Sequence, residues 1–261
     1  MRRTSRQSGF SLLETLLAVG TLAIGMVFVA GTFLAGVYFA TLSTERTIAT
    51  AVVDEAFAKI RLYGLDPNHA SLKTDEYVPY EQLVTVPTDE CLYPSTSTST
   101  DKQYCWAALC KRVGADSRLV EFTVFVSRQT GSGTQYWTRA AGTDWPQVDQ
   151  VDFPRPLRVN IVPTTGTTVA GEVAIQDAVT DDSVDERMFV NDSAMLVDDG
   201  TGQIYRVLER YADAPERIRL DRPWTGTDLA AAGGAWVWVM PQPKSGGRDP
   251  LVAIYQKVLR F

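Results

Sequence analysis

Gly9-Phe10-Ser11-Leu12-Leu13-Glu14 stands between a short arginine-bearing leader and a long apolar run, and its reading organises everything downstream. The leader, Met1 to Gly9, carries Arg2, Arg3 and Arg6 and no acidic residue, which predicts that it stays on the cytoplasmic face of a membrane. It lacks the apolar segment and small-residue cleavage site of an ordinary secretory signal, because the apolar segment lies after Gly9. From Thr15 to Leu42 there are 28 residues without a charge. At about 1.5 Å of helical rise each they reach roughly 40 Å, more than a hydrocarbon core of about 30 Å, so the segment is long enough to span a bilayer. Glu14 is the exception. A carboxylate near the buried end of a spanning helix costs a few kcal/mol on insertion scales, and such groups usually have a partner and a role. A local reading coexists with that one: Ser11-Leu12-Leu13-Glu14 fits the Ser-x-x-Glu capping box, and acidic groups favour helix starts.

The same residues, followed by Thr15-Leu16-Leu17-Ala18-Val19-Gly20-Thr21-Leu22-Ala23-Ile24-Gly25, resemble the prepilin signal of type IV pilins and type II secretion pseudopilins. In that family a membrane peptidase cuts after the glycine and methylates the new amino terminus. The resemblance implies cleavage between Gly9 and Phe10, N-methylation of Phe10, and an assembly role for Glu14, whose carboxylate would pair with the Phe10 amine of a neighbouring subunit. Physics supports that pairing, because opposite charges stranded in an apolar bundle gain most from each other. The implied partners are the inner membrane, the prepilin peptidase and other pilin or pseudopilin subunits. The implied location is a bacterial inner membrane, crossed once with the C-terminal head in the periplasm, and then a pilus or pseudopilus. The short leader with Phe-Ser-Leu-Leu-Glu and an immediate Ala-Val-Gly is most similar to minor pilins that prime or modify a type IV pilus. A type II secretion pseudopilin is the alternative. The resemblance covers Gly9 to Leu42, with weaker support to Gly64.

Glycines inside the run add a packing argument. At about 100° per residue, Gly20 and Gly31 fall on nearly one line, as do Gly25 and Gly36, leaving two thin seams. Small residues let helices approach closely in lipid, although glycine is also simply frequent in spanning helices. Beyond the membrane, Ile48, Ala49, Val52, Ala56, Ile60 and Tyr63 recur at helical spacing, with Asp54, Glu55 and Arg61 on the opposite arc and Glu55 placed to pair with Lys59. Gly64 and then Pro67 supply the stop. One helix from Ser11 to Tyr63 is expected, apolar all round in its first half and amphipathic in its second.

The 261 residues carry a net charge of −6, and removal of three leader arginines takes that to −9. A 45% hydrophobic content argues for a folded head, and the acidic balance without a Lys/Arg cluster argues against nucleic-acid binding. The fold class expected is α+β: the long N-terminal helix packed on an antiparallel sheet, with an additional β-rich subdomain. The expected division is a leader at 1–9, the helix at 10–64 (spanning 15–42), a first β unit at 65–155 and a second at 156–261. Tyr104–Val113 and Leu119–Arg128 read as a hairpin, with Val120, Phe122, Val124 and Val126 on the face that docks the helix. In the second unit Ala194–Val197 and Gln203–Leu208 flank the turn Asp198-Asp199-Gly200-Thr201-Gly202. Arg217–Leu220, Ala235–Met240 and a closing strand candidate Leu251–Phe261 follow, the last counted with the second unit, with a return to the first sheet as the alternative. Thr143–Pro156 and Pro163–Gly171 read as turn-rich, and Ser95–Thr100 as an exposed loop.

Cys91, Cys105 and Cys110 lie beyond the spanning segment, on the oxidising side, where a disulfide can persist. Cys105 and Cys110 are five apart and face opposite ways on one strand, which leaves Cys91–Cys105 as first choice, Cys91–Cys110 next, and three packed thiols as the third possibility. Catalytic constellations are poor. His69 is the only histidine and sits in a turn, and one His with three unevenly spaced Cys matches no zinc pattern. Asp177, Asp181, Asp182, Asp185 and Glu186 lack a calcium-loop pattern and read as a solvated loop; Asp198–Gly202 reads as a hairpin turn. Trp224, Trp236 and Trp238 read as core rather than ligand contacts. No enzyme activity, cofactor or metal is expected. The function classes that remain are a filament subunit, a binding or adhesive head on the same anchor, and an anchored enzyme for which no catalytic set is visible.

Overall fold

A computed structural model describes residues 11–95, 102–114, 118–130, 134–139, 148–151, 153–164, 170–178, 185–230 and 233–261. The chain divides into two compact units, Met1–Thr47 and Ile48–Phe261. Helix α1, Leu12–Tyr63, runs through that boundary, so its second half belongs with the head rather than with the membrane-type segment. Its C-terminal stop is the one expected: Gly64 takes a φ of +72°, its N–H donates to the Ile60 carbonyl at 3.0 Å, and the Tyr80 hydroxyl donates to its carbonyl at 2.8 Å.

In the larger unit the elements after α1 run β1 (Val78–Pro79), α2 (Tyr80–Leu83), a 3-10 turn (Thr88–Cys91), β2 (Leu92–Tyr93), β3 (Tyr104–Arg112), β4 (Leu119–Arg128), β5 (Tyr136–Arg139) and β6 (Val148–Val151). Then come β7 (Leu157–Pro163), β8 (Glu172–Gln176), a 3-10 turn (Glu186–Phe189), β9 (Met195–Asp198), β10 (Ile204–Arg210), β11 (Arg217–Leu220), β12 (Ala235–Val239) and β13 (Leu251–Arg260). The first sheet has the order β1-β3-β4-β13, with β2 also on the β3 edge. Its central hairpin pairs Tyr104 with Arg128 through Arg112 with Val120, and β13 returns to lie along β4.

Helix and sheet meet as the sequence spacing requires. Ala49, Val52, Ala56 and Ile60 are fully buried and pack with Trp106, Val120, Phe122, Val124, Val126 and Leu259. Small alanines at every other contact bring the helix backbone close to the pleat, while the β-branched and aromatic residues of β4 fill the space between. Lys59 is buried beside this seam and joins Glu55 at 2.6 Å and Glu90 at 2.9 Å, tying the 3-10 turn to the helix.

The second β unit is a closed barrel of six strands in the order β10-β11-β8-β7-β12-β9. Closure was not foreseen from the strand count, and β13 stands outside it, so the unit expected at 156–261 loses its last strand to the first sheet. Val159, Ile161, Val173, Ile175, Leu196, Tyr205, Val207, Ile218, Val237 and Val239 fill its interior, as expected of a small barrel packed by its own side chains. Alternation along β12 sends Val237 and Val239 inward and Trp238 outward, where it is fully buried with Leu109, Phe125, Val197 and Met240. That cluster lies on the face of the first sheet opposite the helix. The region expected to be turn-rich between the units contains strand β6, paired with β5 from Tyr136↔Val151 to Arg139↔Val148.

Candidate functional site

Ser11 opens α1. Its Oγ accepts the Glu14 N–H at 3.2 Å, and its carbonyl accepts the N–H groups of Glu14 and Thr15 at 3.0 and 3.2 Å. This is the serine arm of a capping box, and it places the Glu14 carboxylate in the first turn, where the unpaired N–H groups favour negative charge. Gly9 and Phe10, the cleavage pair, lie outside the described residues. On either side of Glu14 every large apolar side chain from Leu12 to Phe39 is between 50% and 81% exposed. The helix is long and apolar enough to cross a membrane, compatible with a single-pass anchor.

Threonines in this run satisfy themselves. Thr21 Oγ1 donates to the Leu17 and Ala18 carbonyls at 3.1 and 3.0 Å, Thr32 Oγ1 to Val29 at 2.9 Å and Thr41 Oγ1 to Val37 at 2.9 Å. A hydroxyl bonded to its own helix exposes little unsatisfied polarity to lipid. At Gly20, Gly25, Gly31 and Gly36 an added Cβ would meet nothing within 4 Å. Nothing in the subunit itself therefore requires glycine at these four places.

The cysteines are all free thiols. The expected Cys91–Cys105 bond is not formed, and strand register gives the reason: Leu92 lies opposite Cys105, while Cys91 packs on the helix side with Trp106. Cys105 points to the other face, its Sγ 3.7 Å from the Ser127 carbonyl. Cys110 shares the helix side, but four strand positions separate it from Trp106, roughly 13 Å of rise, beyond disulfide reach. Burial pushes Cys91 up to about 11 and both Cys105 and Cys110 up to about 12, so none of them is an activated catalytic thiolate, although Cys91, only half-buried, stays open to slow alkylation.

Of the acidic stretch, Asp181 and Asp182 lie outside the described residues. Asp185 caps the 3-10 turn through the Arg187 N–H at 2.9 Å, and Glu186 is buried and accepts the Ala178 N–H at 3.1 Å. Among the described residues no group of three or more acidic, His or Cys side chains converges on a point that would hold a metal. His69 sits in its turn with Nδ1 accepting the Ser71 N–H at 3.2 Å.

The Asp198–Gly202 turn does more than reverse the chain. It inserts into the back of the first sheet, where Asp199 Oδ1 accepts the Tyr77 N–H at 2.9 Å and the Trp238 Nε1–H at 2.6 Å, and Oδ2 accepts Arg158 at 2.7 Å. Lys111 Nζ donates to the Gly200 carbonyl at 2.6 Å, and Gln256 donates to the Gly202 carbonyl at 2.7 Å. Gly202 has a φ of +77° and abuts the Tyr77 hydroxyl, so a side chain is excluded there on both counts. Burial pushes the Asp199 carboxyl up, against the pull of Arg158 and the two N–H donors. Sequence reading missed this junction because Asp199, Tyr77 and Arg158 are far apart in the chain and each is unremarkable in its own segment.

A cleft of about 270 Å³ lies on the outer edge of β3, between α2 and the segment Phe153–Pro156. Its walls include Tyr80, Glu81, Thr85, Cys91, Arg155 and Trp106, and Arg155 and Glu81 form an ion pair of 2.8 Å within that lining. Compared with family models, curated proteins and solved structures, the chain matches none.

Proposed function

We propose that this chain is a structural subunit of the minor-pilin type, delivered to the inner membrane, cut between Gly9 and Phe10, methylated at Phe10, and assembled into or priming a type IV pilus through Glu14. The observation that carries the reading is the helix start: an acidic residue in the capped first turn, followed by 28 uncharged residues whose large apolar side chains, as far as Phe39, are half exposed or more. A filament core covers them, and the glycines that the subunit does not need for itself become contact points between neighbouring helices. Pairing of Glu14 with a neighbour's terminal amine gives each incoming subunit both a register and a reason to leave lipid. The type II secretion pseudopilus would use the same features, and the head would then face a secreted substrate.

Mass spectrometry of the protein recovered from cells that contain a prepilin peptidase tests this directly. The expected product begins at an N-methylated Phe10. An intact Met1 start in cells that process their own pilins overturns the proposal.

A further inference from the structure

The outer edge of β3 is paired at both ends and open in the middle. Leu92 of β2 lies opposite Cys105, and Pro79 of β1 lies opposite Leu109, so Trp106, Ala107 and Ala108 have no strand beside them on that side among the described residues. The reason lies in β1: Pro79 has no N–H to continue a ladder, and the chain turns away at once into α2. The cleft fills this gap. It touches Trp106, Ala107 and Ala108 together, residues whose side chains alternate between the two faces, which is possible only from the strand's edge. Arg112 donates its N–H outward to the Lys73 carbonyl, whereas Val113 bonds to Leu119 beside β4. By alternation, the main-chain groups of Trp106 and Ala108 point outward too, toward the cleft.

We propose that this cleft binds an extended peptide segment of a partner protein, which supplies the missing rungs of the β3 edge and places a small or medium apolar side chain against Val86, Pro79, Phe153 and Pro154. Main-chain pairing is what distinguishes this occupant from an apolar small molecule, because the stretch of β3 that borders the cleft, Trp106 to Ala108, is the one without a neighbouring strand on that edge among the described residues. The volume, just below the usual range of about 300 Å³ upward for ligand pockets, suits one or two residues rather than a long strand. Arg155 and Glu81 in the lining offer one charge of each sign to the polar main chain of a bound peptide. The inference is independent of filament assembly, since it concerns a different face and a different partner.

Cys91 lines the cleft, half-buried, and reports its occupancy. The full chain in detergent is treated with iodoacetamide in the presence of the blocked tripeptide Ac-Val-Leu-Val-NH2, and carboxamidomethylation of each cysteine is followed by mass spectrometry. Cys105 and Cys110, both buried, monitor global opening. Modification of Cys91 is expected to slow saturably, by roughly five-fold when the peptide is in about four-fold excess over its Kd, with the other two thiols unaffected. Thr85→Trp, at an exposed position on the cleft wall, is expected to abolish the peptide effect by filling the space. The proposal is overturned if Cys91 is insensitive at about 10 mM peptide, where even a millimolar site is mostly filled. It is also overturned if Thr85→Trp responds like the native chain, or if Ac-Pro-Pro-Pro-NH2, which has no main-chain donor within its residues, protects equally well.

Discussion

The two halves of α1 share a backbone and differ in their surroundings. From Leu12 to Phe39 every large apolar side chain is half exposed or more, whereas Ala49, Val52, Ala56 and Ile60 have no exposed surface at all. Helix geometry alone therefore says nothing about stability, because the second half is held by packing on β3 and β4 while the first has no such partner within the subunit. The sequence pattern separates them: apolar residues on all sides up to Leu42, a stripe at helical spacing after Ile48. A segment with apolar residues all round is suited to lipid or to a filament core, and one with a stripe is suited to a sheet.

The largest effect expected from breaking this contrast is at its beginning. If Glu14 pairs as proposed, Glu14→Val removes the only charge in the first turns and filament incorporation should fall by about two orders of magnitude. That is the scale of removing one member of a buried ion pair, roughly 3 kcal/mol or more. The same substitution should leave thermal unfolding of the head unchanged, since Glu14 belongs to the smaller unit. Immunoblotting of sheared filaments against whole cells measures the first, and circular dichroism in detergent the second. Normal incorporation of Glu14→Val would remove the assembly role.

Much of this contrast was legible in the sequence, and the reasons are local. The helix ends within one residue of expectation because Ser11 and Gly64 act through neighbours three or four residues away. The β3–β4 hairpin and the face holding Val120, Phe122, Val124 and Val126 follow from alternation in a single stretch. Barrel closure was not legible, since it depends on Val237 pairing with Asp198 across nearly forty residues, with no short-range signature. Nor was the cleft, which arises because Pro79 ends one pairing and Leu92 begins another on the same edge. The disulfide expectation failed for the same reason: chain spacing gave the faces of Cys105 and Cys110 but not the register that places Cys91 on the helix side.

A pair of truncations sharpens the comparison within α1 and its partner. Phe122→Ala, at a fully buried position beneath the helix, should destabilise the head by about 3–5 kcal/mol, whereas Leu22→Ala, 59% exposed, should change it by less than about 0.5 kcal/mol. Urea unfolding of the full chain in detergent, followed by tryptophan fluorescence, measures both. Equal losses would mean that the first half is covered after all.

The barrel junction supplies the next step down. Asp199→Ala leaves the Trp238 and Tyr77 N–H groups without their acceptor, while Arg158 keeps Glu76 at 3.5 Å, and should cost about 2–3 kcal/mol. Its pH dependence has a definite sign. Burial holds the folded pKa of Asp199 above the unfolded value of about 3.9, so the folded state binds its proton more tightly. This group's contribution to stability is then greatest at low pH and declines as pH rises through the window between those two values. The deficit of Asp199→Ala relative to the native chain should accordingly narrow from pH 4 upward and become constant above the folded pKa. A deficit that widens over that range would show that Arg158 and the two N–H donors outweigh burial.

The smallest effect lies at the helix–sheet seam itself. Glu55 pairs with Lys59 at 2.6 Å and accepts the Ser95 hydroxyl at 2.6 Å, and although burial pushes its carboxyl up, these partners hold it below the usual range. Glu55→Gln removes the charge while keeping an acceptor, and Lys59 retains Glu90 at 2.9 Å and the Glu90 carbonyl at 2.6 Å, so no buried cation is stranded. The loss should therefore be about 0.5–1 kcal/mol at neutral pH, the scale of a partly exposed ion pair. Because the folded pKa of Glu55 is lowered, its contribution is present above the unfolded value of about 4.3 and disappears as pH falls through the folded one. Urea midpoints for Glu55→Gln and the native chain should thus converge at low pH. A loss above about 2 kcal/mol, on the scale of a broken buried pair, would mean that Lys59 depends on Glu55 and that Glu90 does not replace it.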